Sequence, residues 1–195
     1  MSQEAGVRMR TIAGAFLMTS VLVAGPLLAG CGSSGDGGAT AASTTTTSLA
    51  DIDVPRGYDP CKDIPASVLD SEKLHGQNLD NTDASGGVKW RGCSWIRSNG
   101  YAASITTTNL TVEMVRNKNF TDARELAIEG RRAISTRQVE EHPDAVCTIN
   151  VEMKGGSLEF FLSNPPSRSE TGKLDTCELA RTLAEKIVPT IPATA

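Results

Sequence analysis

The tetrapeptide Leu28-Ala29-Gly30-Cys31 divides this chain in two and decides which part of it has to fold. Before it runs Thr11 to Leu28, an apolar stretch with Ile12, Phe16, Leu17, Met18, Val21, Leu22, Val23 and Leu27, led by Arg8 and Arg10. A positive start, an apolar middle and small residues before a cut are the three parts of an export signal. A cysteine directly after the cut adds a lipid to its sulfur. Residues 1–30 are therefore expected to be a lipoprotein signal peptide, and Cys31 the lipidated first residue of the mature chain. Glu4 is out of place in a positive segment, which makes Met9 an alternative start to Met1. The competing reading is an uncleaved membrane-spanning helix. The run sits at the short end of the roughly 18–20 apolar residues a span needs. Gly14, Gly25 and Pro26 interrupt it, and no charged stop follows. One acyl chain binds a membrane only marginally, whereas the two or three of a mature lipoprotein make a stable tether. The expected location is the outer, extracytoplasmic face of the cell membrane, reached through the lipid on Cys31.

Residues 31–52 read as a lipidated linker. Gly35-Asp36-Gly37-Gly38 and the run Thr44 to Thr47 leave only Leu49 as a large apolar side chain up to Ala50. Such a segment buries too little surface to offset its ordering entropy, and its composition makes it a flexible spacer. The threonines are also acceptors for O-linked sugar, so a bare spacer and a glycosylated one both stand.

Four cysteines remain after Cys31: Cys61, Cys93, Cys147 and Cys177. An even number in an exported domain points to disulfides, and four allow three connectivities. Cys61–Cys93 with Cys147–Cys177 is favoured, because the two spacings are then nearly equal and the bonds do not cross. No two of the four are as close as the two-to-four-residue spacing common among zinc ligands, and His75 and His142 are isolated in sequence. No metal and no cofactor are expected. The net charge of −4 falls further once a leader carrying Glu4, Arg8 and Arg10 is removed. A mildly acidic domain lacks the basic stripe that nucleic acid requires, and electrostatics would not hold it to anionic lipid.

Residues 53–195 are expected as one domain. Asp63 is a candidate cap for a helix from Pro65 to Leu74, and the polar stretch Gly76 to Gly87 reads as a loop. Ser98-Asn99-Gly100 between two strand-like runs, Val88 to Arg97 and Tyr101 to Thr108, is a strong hairpin signal. A change of parity between Trp90 and Cys93 suggests a bulge at Gly92. Asn109 is a candidate cap for a helix through Met114 to Asn117. Phe120 to Ile128 fits either helix or strand. Ala133 to Thr136 reads as a strand, and Glu140 to Asp144 as a turn. Ala145 to Met153 alternates, with Cys147, Ile149, Val151 and Met153 on the core face. Leu158 to Leu162 is the next strand. A helix from Leu174 to Val188, capped by Asp175 or Thr176, carries an apolar stripe of Cys177, Ala180, Leu183, Ala184 and Ile187. The sum is an α+β fold, a single domain with an antiparallel β-sheet packed with helices on one or both faces and two disulfides.

Asp59-Pro60-Cys61, Cys93-Ser94-Trp95, Cys147 opening an alternating strand and Cys177 early in a C-terminal helix resemble the actinobacterial lipoproteins of domain of unknown function 3558. The resemblance covers Tyr58 to Pro189. It implies an envelope lipoprotein with the same two disulfides and carries no assigned activity. A looser likeness, of architecture alone, is to disulfide-bonded extracytoplasmic sensor domains.

Trp95 beside Cys93 reads as core packing against a disulfide. Trp90, Arg131 and Arg132 are the candidate ligand-binding residues: Trp90 falls near the solvent side, and the arginine pair beside Gly130 is able to grip an anion. No catalytic residue is assigned. Neither glycine pair, Gly86-Gly87 or Gly155-Gly156, opens a phosphate-binding helix, and no serine has a Gly-x-Ser-x-Gly context. The leading expectation is a non-enzymatic envelope lipoprotein that binds an unknown small molecule, lipid or envelope protein as a sensor or accessory subunit. The alternatives are an envelope hydrolase whose site forms only in the fold, centred on His75 or His142, and a surface-structural or antigen role.

Overall fold

The computed structural model describes residues 48–120, 122–138 and 142–195. The expected leader, both candidate starts, Cys31 and the threonine run lie outside the described residues, as do Glu140 and Glu141 of the expected turn. Eight strands make one antiparallel sheet: β1 Leu74–Leu79, β2 Thr82–Asp83, β3 Lys89–Arg97, β4 Ala102–Thr108, β5 Arg124–Ile128, β6 Arg131–Thr136, β7 Val146–Met153 and β8 Gly156–Ser163. The helices are α1 Pro60–Asp63, α2 Ala66–Ser71, α3 Val112–Arg116 and α4 Thr176–Ile187. The sheet order is β1-β3-β4-β8-β7-β6-β5, with β2 beside β3. It is two meanders, β1 to β4 and β5 to β8, joined where β4 pairs with β8. This is the single α+β domain expected.

Local chemistry explains the hairpins. Asn99 adopts φ 56°, and asparagine tolerates the left-handed region that the β3–β4 turn needs. Arg97 N then donates to Tyr101 O at 3.0 Å, closing the turn. Asp175 caps α4 by accepting from the amides of Cys177 and Glu178 at 2.8 and 3.0 Å.

Strand parity sorts the side chains onto two faces. Cys93, Trp95, Ile105, Cys147, Ile149, Val151, Leu158, Phe160 and Leu162 point to one face and form the main core with Ala180, Leu183, Ala184 and Ile187 of α4. Cys147–Cys177 fastens α4 to β7, and Cys61–Cys93 fastens α1 to β3. Trp95 is buried in this core beside Cys93, as expected. The opposite face is covered only in part. There α3 packs Val112 and Val115 with Leu110 and Ile134, and Leu49, Val88, Trp90 and Phe120 gather around them.

Several expectations shift. The helix expected over Pro65 to Leu74 is only the short α2, which Asp63 does not cap; Asp63 instead ends a separate turn of helix, α1, capped by Asp59 through the Cys61 amide at 3.0 Å. Thr111, not Asn109, caps α3. Asn109 is instead a buried tie, its Nδ2 donating to the carbonyls of Leu49, Ile52 and Gly87. The fold thus takes in Leu49 and Ile52, which the sequence assigns to the linker. The expected loop from Gly76 to Gly87 contains most of β1 and all of β2, solvent-facing edge strands without an apolar alternation to reveal them. The ambiguous Phe120 to Ile128 ends in a strand, β5.

Gly92 is not a bulge. β3 and β4 pair without interruption from Trp90↔Thr108 to Ile96↔Ala102, and the irregularity lies in β1, between His75 and Asn78. Trp90 and Cys93 face opposite ways simply because three residues separate odd from even positions. Gly92 is required for close approach instead: a Cβ there would stand 2.2 Å from the carbonyl oxygen of Ile105. Gly92→Ala is therefore expected to lower unfolding free energy by about 1–3 kcal/mol, the usual range for overpacking. Urea unfolding checks this; an unchanged midpoint would contradict it.

Candidate functional site

On the partly covered face, Trp90 of β3, Ser104 and Thr106 of β4, Glu159 and Phe161 of β8 and Thr148 and Asn150 of β7 point the same way by strand parity. The turn after β1 adds Asp80. Asp80, Thr82, Trp90, Ser104, Thr106, Glu159 and Phe161 line a hollow of about 280 Å³. A second hollow of about 140 Å³ shares Trp90 and Glu159 and is closed by Leu110, Val115, Lys118, Phe120 and Gln138. Ser104 and Thr106 make a floor of small hydroxyls, with Trp90 and Phe161 standing beside it. Phe161 is among the few large apolar side chains left exposed.

Glu159 is an acid on a strand between Leu158 and Phe160, both wholly buried on the other face. Burial pushes its carboxyl pKa up, and Asp80 adds to the rise. Asn150, Trp90 and Lys118 oppose the rise without cancelling it. Asn150 Nδ2 donates to Glu159 Oε2 at 3.0 Å and contacts Ser157 Oγ at 3.1 Å. Ser104 Oγ donates to the Asp80 carboxylate.

Polar satisfaction fails at this place. Among the described residues, Trp90 Nε1, Thr148 Oγ1 and Asn150 Oδ1 are buried without a hydrogen-bond partner. The Trp90 indole lies close enough to Glu159 to favour its charged form, yet outside hydrogen-bond geometry. A fourth such atom, Arg116 Nε, faces the Glu125 carboxylate at 2.6 Å and so has its charge matched. Each unmet buried group costs about 1–3 kcal/mol. Three of them lie on one face of the sheet, near a half-buried acid.

Two larger clefts carry less. One of about 440 Å³ lies between β5–β6 and the start of α4, where Arg124, Arg137 and Arg181 alternate with Asp122, Glu125, Asp175 and Glu178. Its charges are largely matched, with Arg137 on Asp175 at 2.6 Å and Arg181 on Glu185 at 2.8 Å. Another of about 380 Å³ is an open trough beside the first disulfide, between Tyr58, Cys61, Leu79 and Arg91.

Of the three candidate ligand-binding residues, only Trp90 lines the hollow. Arg131 donates to the carbonyls of Glu152, Ala195 and Pro192 at 3.2, 3.1 and 2.8 Å, clamping the C-terminal tail to β7. Arg132 faces Glu113 and Glu152 at 3.7 and 3.5 Å. The arginine pair therefore has protein partners and lies apart from Trp90. Asp80, Asn150, Thr148, Glu159 and Phe161 are the residues sequence reasoning missed. A glutamate inside an otherwise apolar strand is the one signal that pointed to them.

His75 lies on β1, exposed, its Nε2 within 2.8 Å of Ser98 Oγ. This is a serine–histidine contact on an open edge, and among the described residues no carboxylate hydrogen-bonds the imidazole to orient it as a base. His142 is exposed beside the Pro143–Ala145 turn. Among the described residues no three His, Cys, Asp or Glu side chains converge as metal ligands, and no helix is long and apolar enough to cross a membrane.

The model of a family described as protein of unknown function (DUF3558) matches residues 26–190. No curated protein and no solved structure matches the chain.

Proposed function

We propose that this chain, which belongs to the DUF3558 family, is a lipid-anchored binding protein of the cell envelope, non-enzymatic, whose sheet hollow around Trp90 and Glu159 takes a small ligand. The anchor reading rests on the lipobox ending at Cys31. Residues 31–52 would give the domain reach from the outer face of the cytoplasmic membrane. The observation that carries the binding reading is the hollow itself: a half-buried carboxyl and two aromatic walls, one of them with its indole Nε1 unpaired. A sensor or accessory subunit is the role that fits such a domain.

The test uses the full-length protein purified from membranes in detergent. Native mass spectrometry is expected to find a small molecule at near one-to-one stoichiometry, lost from Trp90→Ala. Cys31→Ser is expected to leave the membrane fraction. A wild-type protein with no adduct, or an adduct indifferent to Trp90→Ala, overturns the binding reading; a co-purifying protein in its place moves the role to an accessory subunit.

A further inference from the structure

We propose that the ligand of the Trp90–Glu159 hollow is an organic cation, its ammonium nitrogen held between Asp80 and Glu159 and its carbon skeleton laid against Trp90 and Phe161. The proposal rests on the binding reading above and adds the chemistry of what binds.

The first argument is charge. Two carboxyl groups line the larger hollow, and none of its other lining residues is cationic. Lys118 borders only the smaller neighbouring hollow. A ligand cation relieves the repulsion between the two acids and favours the charged form of Glu159, which burial and Asp80 both oppose. An anion would have no positive side chain to meet among the lining residues of the larger hollow.

The second argument is hydrogen-bonding balance. Asn150 and Thr148 are wholly buried, point to the same side of the sheet as Glu159, and each keeps an oxygen without a donor. Glu159 Oε2 is held by Asn150, and among the described residues no hydrogen bond reaches Oε1. Of the unpaired atoms, Asn150 Oδ1 can only accept, and the one pure donor, Trp90 Nε1, already lies close to the Glu159 carboxylate. An ammonium has donors and no acceptor, whereas a carboxylate or phosphate has the reverse. The third argument is the wall. Trp90 and Phe161 flank the acids, and an aromatic face attracts a cation that has shed part of its water.

Both a free amine and an amine headgroup on a lipid share this chemistry. The experiment titrates the full-length protein in detergent with phenethylammonium and benzyltrimethylammonium, with phenylethanol and phenylacetate as neutral and anionic analogues. Tryptophan fluorescence reads binding, because Trp90 is half-exposed while Trp95 is buried, and Trp90→Phe identifies the signal. A further arm adds vesicles with and without ethanolamine headgroups to distinguish the two sources. Saturable binding of at least one cation is expected, with both analogues at least about tenfold weaker. Glu159→Gln is expected to weaken the cation by about tenfold or more, the scale of one charge-assisted hydrogen bond. It should not lower the melting temperature: glutamine still accepts from Asn150 and removes a charge that burial disfavours. A Trp90-dependent response to the neutral or anionic compound, without one to either cation, overturns the cation proposal and leaves the binding reading standing. No response to any compound, in a protein that also carries no native adduct, overturns both.

Discussion

Unfolding free energy is expected to fall by about 3–4 kcal/mol when Cys147 and Cys177 are both replaced by alanine. The bond closes a loop of 30 residues, and the chain-entropy cost of that closure is then returned to the unfolded state. It is the tie between α4 and the centre of the sheet, and Cys147 is wholly buried. The Cys61–Cys93 bond, spanning 32 residues, is expected to contribute as much by the same argument. A domain has about 5–15 kcal/mol in all, so loss of both bonds brings it close to unfolding at room temperature. Urea unfolding of the oxidised protein and of the paired alanine variants gives the numbers. A loss under about 1 kcal/mol would show that α4 is held by its apolar stripe alone and that the bond constrains little.

Glu72→Ala is the second large effect, expected near 3 kcal/mol. Glu72 ends α2 and is almost fully buried, at 7 % exposure. Tyr101 Oη, itself buried, donates to its Oε2 at 2.8 Å, and the ammonium of Lys186 on α4 pairs with its Oε1. The three groups join α2, the start of β4 and α4. Removing the acid strands the Tyr101 hydroxyl without an acceptor, which costs about 1–3 kcal/mol by itself. The rest comes from the broken ion pair, discounted because Lys186 reaches solvent.

The pH dependence has a definite sign. Burial alone would raise the Glu72 pKa, but the hydrogen bonds from Lys186 and Tyr101 outweigh it and hold the group below its ordinary value. A depressed folded pKa gives stability that is full above the ordinary carboxylate range and is lost as pH falls through the folded value. The gap between wild type and Glu72→Ala is therefore expected to narrow on acidification. Glu159 runs the other way: its raised pKa means that its charge costs stability at neutral pH and that the cost disappears as it protonates. Unfolding curves of Glu72→Ala and Glu159→Gln, taken from neutral pH down through the carboxylate range, should diverge in sign. A gap for Glu72→Ala that stays constant would mean that packing, not charge, holds that corner.

Much of the scaffold was legible because its signals are local. The Asn99-Gly100 turn, the alternation of Cys147, Ile149, Val151 and Met153, and the stripe of α4 each sit within one element and depend on its own periodicity. The disulfide pairing followed from spacing, and the structure has both bonds as expected. β1 and β2 were missed for an equally physical reason. Edge strands in solvent need no apolar face, so their sequence looks like a loop.

The hollow was not legible, apart from Trp90. Asp80, Trp90, Ser104, Asn150 and Glu159 come from the β1–β2 turn and four different strands, and they meet only because β4 pairs with β8 across the whole second meander. By itself the sequence determined the disulfide frame and the antiparallel α+β class, since each rests on residues close along the chain or on a count. The tertiary structure alone decided that Arg131 would clamp the C-terminus and that Glu159 would sit half-buried beside Trp90. Those outcomes depend on pairing between distant strands, and pairing is set by the burial of the opposite face of the sheet, not by the polar residues that face the hollow.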